Sequence, residues 1–192
     1  MNIYELANID FRSGTYRISN PGIYILKEDI IFDPNSDNDG KPWDWDLTYK
    51  TKAYTFGFFA AITIETNNVE IDLNNHSIKQ STRHSYFQRF FSIIELASTP
   101  FLPKQGPANF GNEIISANNI TIKNGSFLLS AHHGIHGNDN SNITIQNIDF
   151  FNMEVAAIHI NNPKNIKVKN CNIYGTSQNV KSLGFFSHCL HL

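Results

Sequence analysis

Four histidines form the densest group of titratable side chains in the sequence: His132, His133, His136 and His159. His136 and His159 occupy equivalent positions in the segments GIHG (134–137) and AIHI (157–160), and each follows an isoleucine. If the two segments lie on neighbouring strands, their imidazoles project from one face about 5 Å apart. Such a pair could bind a metal ion or share a proton near neutral pH. The alternative is a polar ladder on an outer wall of the fold. If the spacing from His136 to His159 is applied once more, it reaches Ser182 rather than a third histidine.

An acidic segment resembles a calcium-binding loop. Asn35, Asp37 and Asp39 alternate along the chain before Gly40, and Asp46 occupies the twelfth position. Oxygen ligands in this pattern suit a hard cation. Asn in the first position, Asp in the twelfth and the lack of flanking helices depart from the pattern, so a solvated acidic turn is the alternative. Beyond this calcium candidate, the sequence predicts no cofactor.

Aromatic residues are concentrated in or beside segments that interrupt the apolar pattern. Trp43, Trp45 and Tyr86 are the candidates for carbohydrate binding, because exposed aromatic rings can stack on sugar rings. The alternative is that they fill the space between a loop and the strands beneath it.

A lyase that acts on uronate sugars would need a base and a positive charge beside the sugar carboxylate. Arg83, which precedes His84, is a candidate together with His136 and His159. Lys167 and Lys169 are better explained as a solvated face of a sheet.

The elements that would position these residues follow from a repeat. The segments NITIKNGSF (119–127), NITIQNIDF (142–150) and NIKVKNCNI (165–173) recur at a constant step, the same step that separates His136 from His159. Apolar and polar residues alternate within each copy, as in a strand with one buried face. A unit of about 23 residues is too short for a strand–helix–strand crossover, but it fits one coil of two or three short strands. Such coils stack about 4.8 Å apart.

Each copy contains an asparagine after its strand, at Asn124, Asn147 and Asn170. A corner that adopts the left-handed αL conformation costs a β-branched residue about 1–2 kcal/mol, and Asn much less. Side-chain amides stacked in this way can also hydrogen-bond to one another. The sequence therefore predicts an asparagine ladder at a corner of the coil.

The three copies, together with NVEIDLNNHSI (68–78) and PGIYILKEDIIF (21–32), resemble the right-handed parallel β-helix superfamily of pectate-lyase-like proteins. The Asn, Ile, Lys and Phe bias is also similar to β-helix proteins encoded by giant DNA viruses. The resemblance implies an all-β fold, a right-handed parallel β-helix with one repeat in each coil. GIHG at 134–137 is similar to a motif of polygalacturonases, but the carboxylate motifs of that family are missing, so its activity is not expected.

The sequence predicts one domain over residues 1–192. Residues 1–20 form an N-terminal cap, 33–55 and 98–112 are insertions, and 113–175 are regular coils. The apolar run at 86–97 predicts a further pair of strands. Residues 176–192 lose the repeat and are predicted to be an irregular tail, either a cap or the end of a truncated chain.

Composition limits the partners. Charged residues make up 17% of the chain and the net charge is −2, so no nucleic acid partner is expected. No apolar stretch is long enough for a membrane span or a signal peptide, and we expect a cytoplasmic or virion location. Cys171 and Cys189 are predicted to be free thiols. The sequence does not predict the oligomeric state.

Together these observations predict a non-catalytic β-helix module that binds carbohydrate or serves as a structural or surface protein, for example in a virion. The alternative is a polysaccharide lyase, hydrolase or epimerase, or a truncated relic of such an enzyme. The distinguishing feature is whether acid and base side chains converge on one wall.

Overall fold

The computed structural model describes residues 1–12, 14–33, 59–96 and 117–175. Within these ranges the chain is mostly β-strand, with one α-helix, α1 (Thr82–Phe87), and one short 3₁₀ helix (Asn8–Phe11). Every strand pair within these ranges is parallel. None of the described helices is long and apolar enough to cross a membrane. The prediction of an all-β chain is confirmed for the described part.

Nine of the described strands belong to the larger sheet. They are β1 (Ile3–Leu6), β3 (Gly22–Leu26), β4 (Ile30–Phe32), β6 (Val69–Asp72), β7 (Ser77–Gln80), β9 (Ile120–Leu129), β11 (Ser141–Phe151), β13 (Lys164–Lys169) and β14 (Asn172–Tyr174).

The larger sheet contains two ladders of strands, because β9 and β11 each take part in both. Residues 120–123 of β9 pair with β6, whereas residues 126–129 pair with β7. The two halves of β11 likewise pair with β13 and β14. Asn124 and Asn147 lie between the halves with φ of 60° and 55°, so each long strand turns at an asparagine.

Five described strands form the second sheet. They are β2 (Tyr16–Ile18), β5 (Phe59–Ile64), β8 (Phe91–Glu95), β10 (His133–Asn138) and β12 (Ala156–Asn161). Along the chain, each of these strands is preceded and followed by strands of the larger sheet. The chain therefore passes back and forth between the two sheets.

The alternation of apolar and polar residues in the repeats corresponds to an alternation of buried and partly buried side chains. Ile120, Ile122, Ile143 and Ile145 are buried, while Thr144, between the last two, is only partly buried. Apolar side chains from both sheets form one continuous core. Burial of these side chains is the main favourable contribution to folding.

At the last described strands, the inward-facing positions of the repeat are more exposed. Ile166 is partly buried, Val168 is 49% exposed and Ile173 is 65% exposed. Their counterparts one repeat earlier, Ile145 and Phe150, are fully buried. Cys171 is a free thiol in this region, and Cys189 lies outside the described residues.

The prediction of two strands over residues 86–97 is wrong in its first part. Residues 82–87 form α1, and only the segment Phe91–Glu95 is a strand. The hydroxyl of Ser81 accepts a hydrogen bond from the backbone N–H of His84 and so caps the helix at its N-terminus. This local capping outweighs the apolar run, which by itself does not distinguish a short helix from a strand.

The predicted cap, residues 1–20, contains β1 and β2, which are edge strands of the two sheets. Of the predicted insertion at 33–55, only Asp33 is described, and the insertion at 98–112 and the tail at 176–192 lie outside the described residues. The predicted regular coils are described from residue 117 onward.

Candidate functional site

A column of polar residues crosses the second sheet. Thr63 on β5 pairs with Glu95 on β8, Glu95 pairs with His136 on β10, and His136 pairs with His159 on β12. Residues that pair in this way on parallel strands project toward the same side of the sheet. The column therefore brings a carboxylate and two imidazoles together from three neighbouring strands.

The predicted proximity of His136 and His159 is confirmed. Their ring centroids are 5.4 Å apart. His136 is only 2% exposed, whereas His159 is exposed. The pair therefore does not form the solvated outer ladder that the sequence offered as an alternative, because one of its two members is buried.

His133 completes a cluster of three imidazoles. Its Nε2 lies 3.1 Å from Nδ1 of His159, and its ring stacks on that of His136 with centroids 5.1 Å apart. One ring nitrogen from each of the three side chains falls within 4.8 Å of the other two. We refer to His133, His136 and His159 as the histidine cluster.

The carboxylate of Glu95 orients His136. Nδ1 of His136 lies 2.8 Å from Oε2 of Glu95, and both side chains are almost fully buried. The hydroxyl of Ser92 donates a longer hydrogen bond to the same oxygen, at 3.4 Å. A carboxylate that accepts from Nδ1–H fixes the orientation of the ring and directs Nε2 toward the other side.

A further imidazole, that of His132, lies beside the cluster. Its Nδ1 is 3.0 Å from Nδ1 of His133. Burial lowers the pKa of His132 to about 4, and the nearby histidines and Arg89 contribute in the same direction. Burial, with the neighbouring histidines, lowers the pKa of His133 to about 2. Both rings are therefore neutral at pH 7.

Arg89 and Glu154 form an ion pair near His132. Arg89 also donates a hydrogen bond from Nη1 to the backbone oxygen of Ser85, 2.7 Å away. Arg89 therefore acts electrostatically on His132, the imidazole beside the cluster. The arginine that the sequence singled out is a different residue, Arg83. Arg83 lies in α1.

Tyr86 lies at a cleft of about 540 Å³ beside α1. The residue is 51% exposed. The cleft follows the outer side of β4, β7 and β9, since Ile31 pairs with Lys79 and Lys79 with Leu129. Its lining combines apolar, amide, hydroxyl and ammonium groups, and comprises Ile31, Lys79, Gln80, Ser81, Thr82, Tyr86, Leu128, Leu129 and Asn152.

Comparison with known proteins finds no relative. No protein-family model, no curated protein and no solved structure matches the chain.

The asparagine ladder is present. Asn147 donates a hydrogen bond to Asn124 at 3.0 Å, and Asn170 donates to Asn147 at 3.2 Å. The sequence analysis missed a second ladder, in which Asn142 donates to Asn119 and Asn165 donates to Asn142. The sequence does contain a signal for this second ladder, because its asparagines begin the same three nine-residue segments.

Several predicted site residues lie outside the described residues. They are the aromatic candidates Trp43 and Trp45 and the four calcium candidates Asn35, Asp37, Asp39 and Asp46. The calcium hypothesis stays a prediction.

Glu95 was not predicted from the sequence, and His133, although named in the four-histidine group, was not predicted to join the His136–His159 pair. Glu95 and His136 are far apart in sequence, and no whole number of repeat steps connects them. His133 is three positions before His136, a spacing that places side chains on opposite faces of a regular strand. In the structure His133 is the first residue of β10 and Glu95 is the last residue of β8, and both side chains reach the cluster.

Proposed function

We propose that the chain is a right-handed parallel β-helix of the pectate-lyase-like type and that it binds carbohydrate without catalysis. The fold proposal is supported by the alternation between two parallel sheets, by the constant register step between β9, β11 and β13, and by the shared core. A protein of this kind could serve as a surface or structural module, for example in a virion.

The observation that carries the carbohydrate proposal is Tyr86 at its cleft. Half of the side chain is in contact with solvent, although an aromatic ring of this size gains free energy by burial. An exposed aromatic face beside amide and hydroxyl groups can stack on a sugar ring while the polar groups hydrogen-bond to its hydroxyls.

The shape of the cleft suits an extended chain. Its floor crosses β4, β7 and β9, which are successive strands about 4.8 Å apart. A polymer lying along the stacking direction would meet Ile31, Lys79 and Leu129 in turn. The ammonium group of Lys79 favours sugars that carry a carboxylate.

The Tyr86 cleft supports binding better than the enzymatic alternative, although acid and base side chains do converge on the second sheet, at Glu95 and the histidine cluster. A hydrolase needs two carboxyl groups that flank the scissile bond, and among the described residues that line the cleft there is none. Glu95 is buried against His136, and Glu154 is paired with Arg89. Lys79 is a basic group that a lyase could use, so the test must measure turnover as well as binding.

Calorimetric titration with neutral and uronate-containing polysaccharides, with and without calcium, tests the proposal. We expect saturable binding without new unsaturated ends or new reducing ends. Tyr86→Ala should weaken binding at least tenfold, because the stacking of its ring on a sugar is lost. Formation of unsaturated products would replace the binding proposal with a lyase.

Tyr174→Ala provides the matched control. Tyr174 is 48% exposed, but it stacks on Phe151 and does not line the cleft. If this variant loses as much affinity as Tyr86→Ala, or if neither variant changes binding, the assignment to the cleft is wrong.

A further inference from the structure

We propose that the histidine cluster binds one divalent transition-metal ion of the zinc class through His133, His136 and His159. This inference is independent of the carbohydrate proposal, because it concerns the second sheet, whereas the Tyr86 cleft lies on the larger one.

The donor atoms are close to the positions that such an ion requires. Zinc binds imidazole nitrogens at about 2.0–2.1 Å, which places two ligands of a tetrahedral site about 3.3 Å apart. Nε2 of His133 and Nδ1 of His159 are already 3.1 Å apart. One nitrogen from each of the three rings lies within 4.8 Å of the other two, so side-chain rotation that brings the third nitrogen closer would complete the geometry.

The hydrogen bonds at the remaining nitrogens are compatible with metal-binding tautomers. A proton on Nδ1 of His136 is donated to Glu95, which leaves Nε2 of His136 as the ligand. In the tautomer in which Nδ1 of His133 carries the proton and donates it to Nδ1 of His132, Nε2 of His133 is the ligand. In this arrangement only His159 must move its proton, from Nδ1 to Nε2, when the ion binds.

The surroundings match those of imidazole–metal sites. A carboxylate behind a ligating histidine orients the ring and raises its basicity, and Glu95 occupies this position.

The ligand set also indicates the class of ion and the coordination. Three imidazoles favour zinc, copper, nickel or cobalt over calcium or magnesium, which prefer oxygen ligands. His133 and His136 are buried, whereas His159 is exposed, so the ion would be reached from the β12 side. Three protein ligands leave a fourth position for water or for an exogenous ligand.

The first experiment uses the full chain without an affinity tag, because a polyhistidine tag would itself bind the ion. After treatment with a chelator, the protein is titrated with Co²⁺ and followed by visible absorption. We expect one equivalent to produce the intense bands of tetrahedral Co²⁺, and one equivalent of Zn²⁺ to remove them. Zinc should also raise the melting temperature, because it binds the folded chain.

Two variants locate the ion. Glu95→Gln should weaken zinc binding by about 10–100-fold, the usual effect of removing a carboxylate behind a ligand. His159→Ala should weaken it more, because a ligand is lost, and the exposed position makes the substitution compatible with folding. His76→Ala is the control, since His76 is a partly exposed histidine paired with Asp29 outside the cluster. It should leave binding unchanged.

Nitrogen-15 NMR of the imidazoles provides a readout that does not depend on substitution. Zinc should shift Nε2 of His133 and His136 and Nδ1 of His159. The proposal is overturned if the folded wild-type chain binds no ion, if His159→Ala binds as tightly as wild type, or if the shifted nitrogens belong to other residues.

Discussion

The described residues up to 96 and those from 117 onward form two halves of the chain. Both halves contribute strands to the same ladders, but the number of residues between paired strands is constant only in the second half. From residue 117 onward, Ile120 pairs with Ile143 and Ile143 with Ile166, so the step between paired residues is constant. In the N-terminal half, Ile3 pairs with Ile23, Ile23 with Glu70, and Val69 with Ile120, and each of these steps has a different length. The strand pairing is therefore the same in both halves although the length of the connections is not.

This difference shows that stacking depends on the strands and corners rather than on a fixed repeat length. The length of a connection can vary with little cost in free energy, because loop-closure entropy rises only slowly with length. The histidine cluster lies where the two halves meet. Glu95 comes from the irregular half, and the three histidines come from the regular one.

The largest expected effect tests whether the two halves share one core. Ile145→Asp should reduce the free energy of unfolding by several kcal/mol, because it buries an unpaired charge. Ile71→Asp in the irregular half should cost as much, since Ile71 is equally buried. Urea unfolding of both variants measures the two costs.

Thr144→Asp is the control for this prediction, because Thr144 is only partly buried. It should change stability far less than Ile145→Asp. Equal losses from the two substitutions would contradict the assignment of inward and outward positions.

The next largest expected effect is a pH dependence of stability caused by His84, in the irregular half. Burial lowers the pKa of His84 to about 3, whereas an unfolded histidine titrates near 6.5. Both states are neutral at pH 7, but below about pH 6.5 only the unfolded chain gains the proton. The stability present at neutral pH is then lost as pH falls toward 3, by up to about 1.4 kcal/mol per pH unit.

Urea unfolding at pH 7, 6 and 5 measures this slope in the wild type and in His84→Gln. The variant keeps an acceptor for the amide of Gln80 but has no titratable ring. It should show a shallower dependence on pH. Parallel slopes for the two proteins would show that His84 does not titrate with unfolding.

The smallest expected effect is the loss of stability when an asparagine at a corner of the regular half is replaced. Asn147 has φ of 55°, and its side chain takes part in the asparagine ladder on both sides. Asn147→Val should cost about 1–2 kcal/mol from backbone conformation alone. Thermal unfolding of Asn172→Val, at an exposed residue in β14 without positive φ, gives the reference. A cost at 147 no larger than that at 172 would refute the corner argument.

The regular half could be predicted in detail because its information is local. Alternation of Ile with polar residues defines the buried face, and Asn at matched positions defines the corners, as Asn124 and Asn147 show. Each of these features depends on residues that are near one another in sequence or one repeat apart.

The helix α1 and the position of Glu95 could not be predicted in the same way. In the segment from Ser81 to Phe87, the apolar run does not distinguish helix from strand, and the capping hydroxyl of Ser81 favours the helix. Glu95 contacts His136 because β8 pairs with β10, and no periodic spacing in the sequence predicts this contact. The candidate site is therefore less predictable than the fold that supports it.

The stacked corners have a consequence for changes in chain length. Removal of residues 142–164 would join Ser141 to Asn165, and Asn165 would then occupy the place of Asn142 above Asn119. The shortened protein would retain equivalent bends on either side of the junction while losing His159. A whole repeat could thus be gained or lost as a module, together with the functional side chains that it carries.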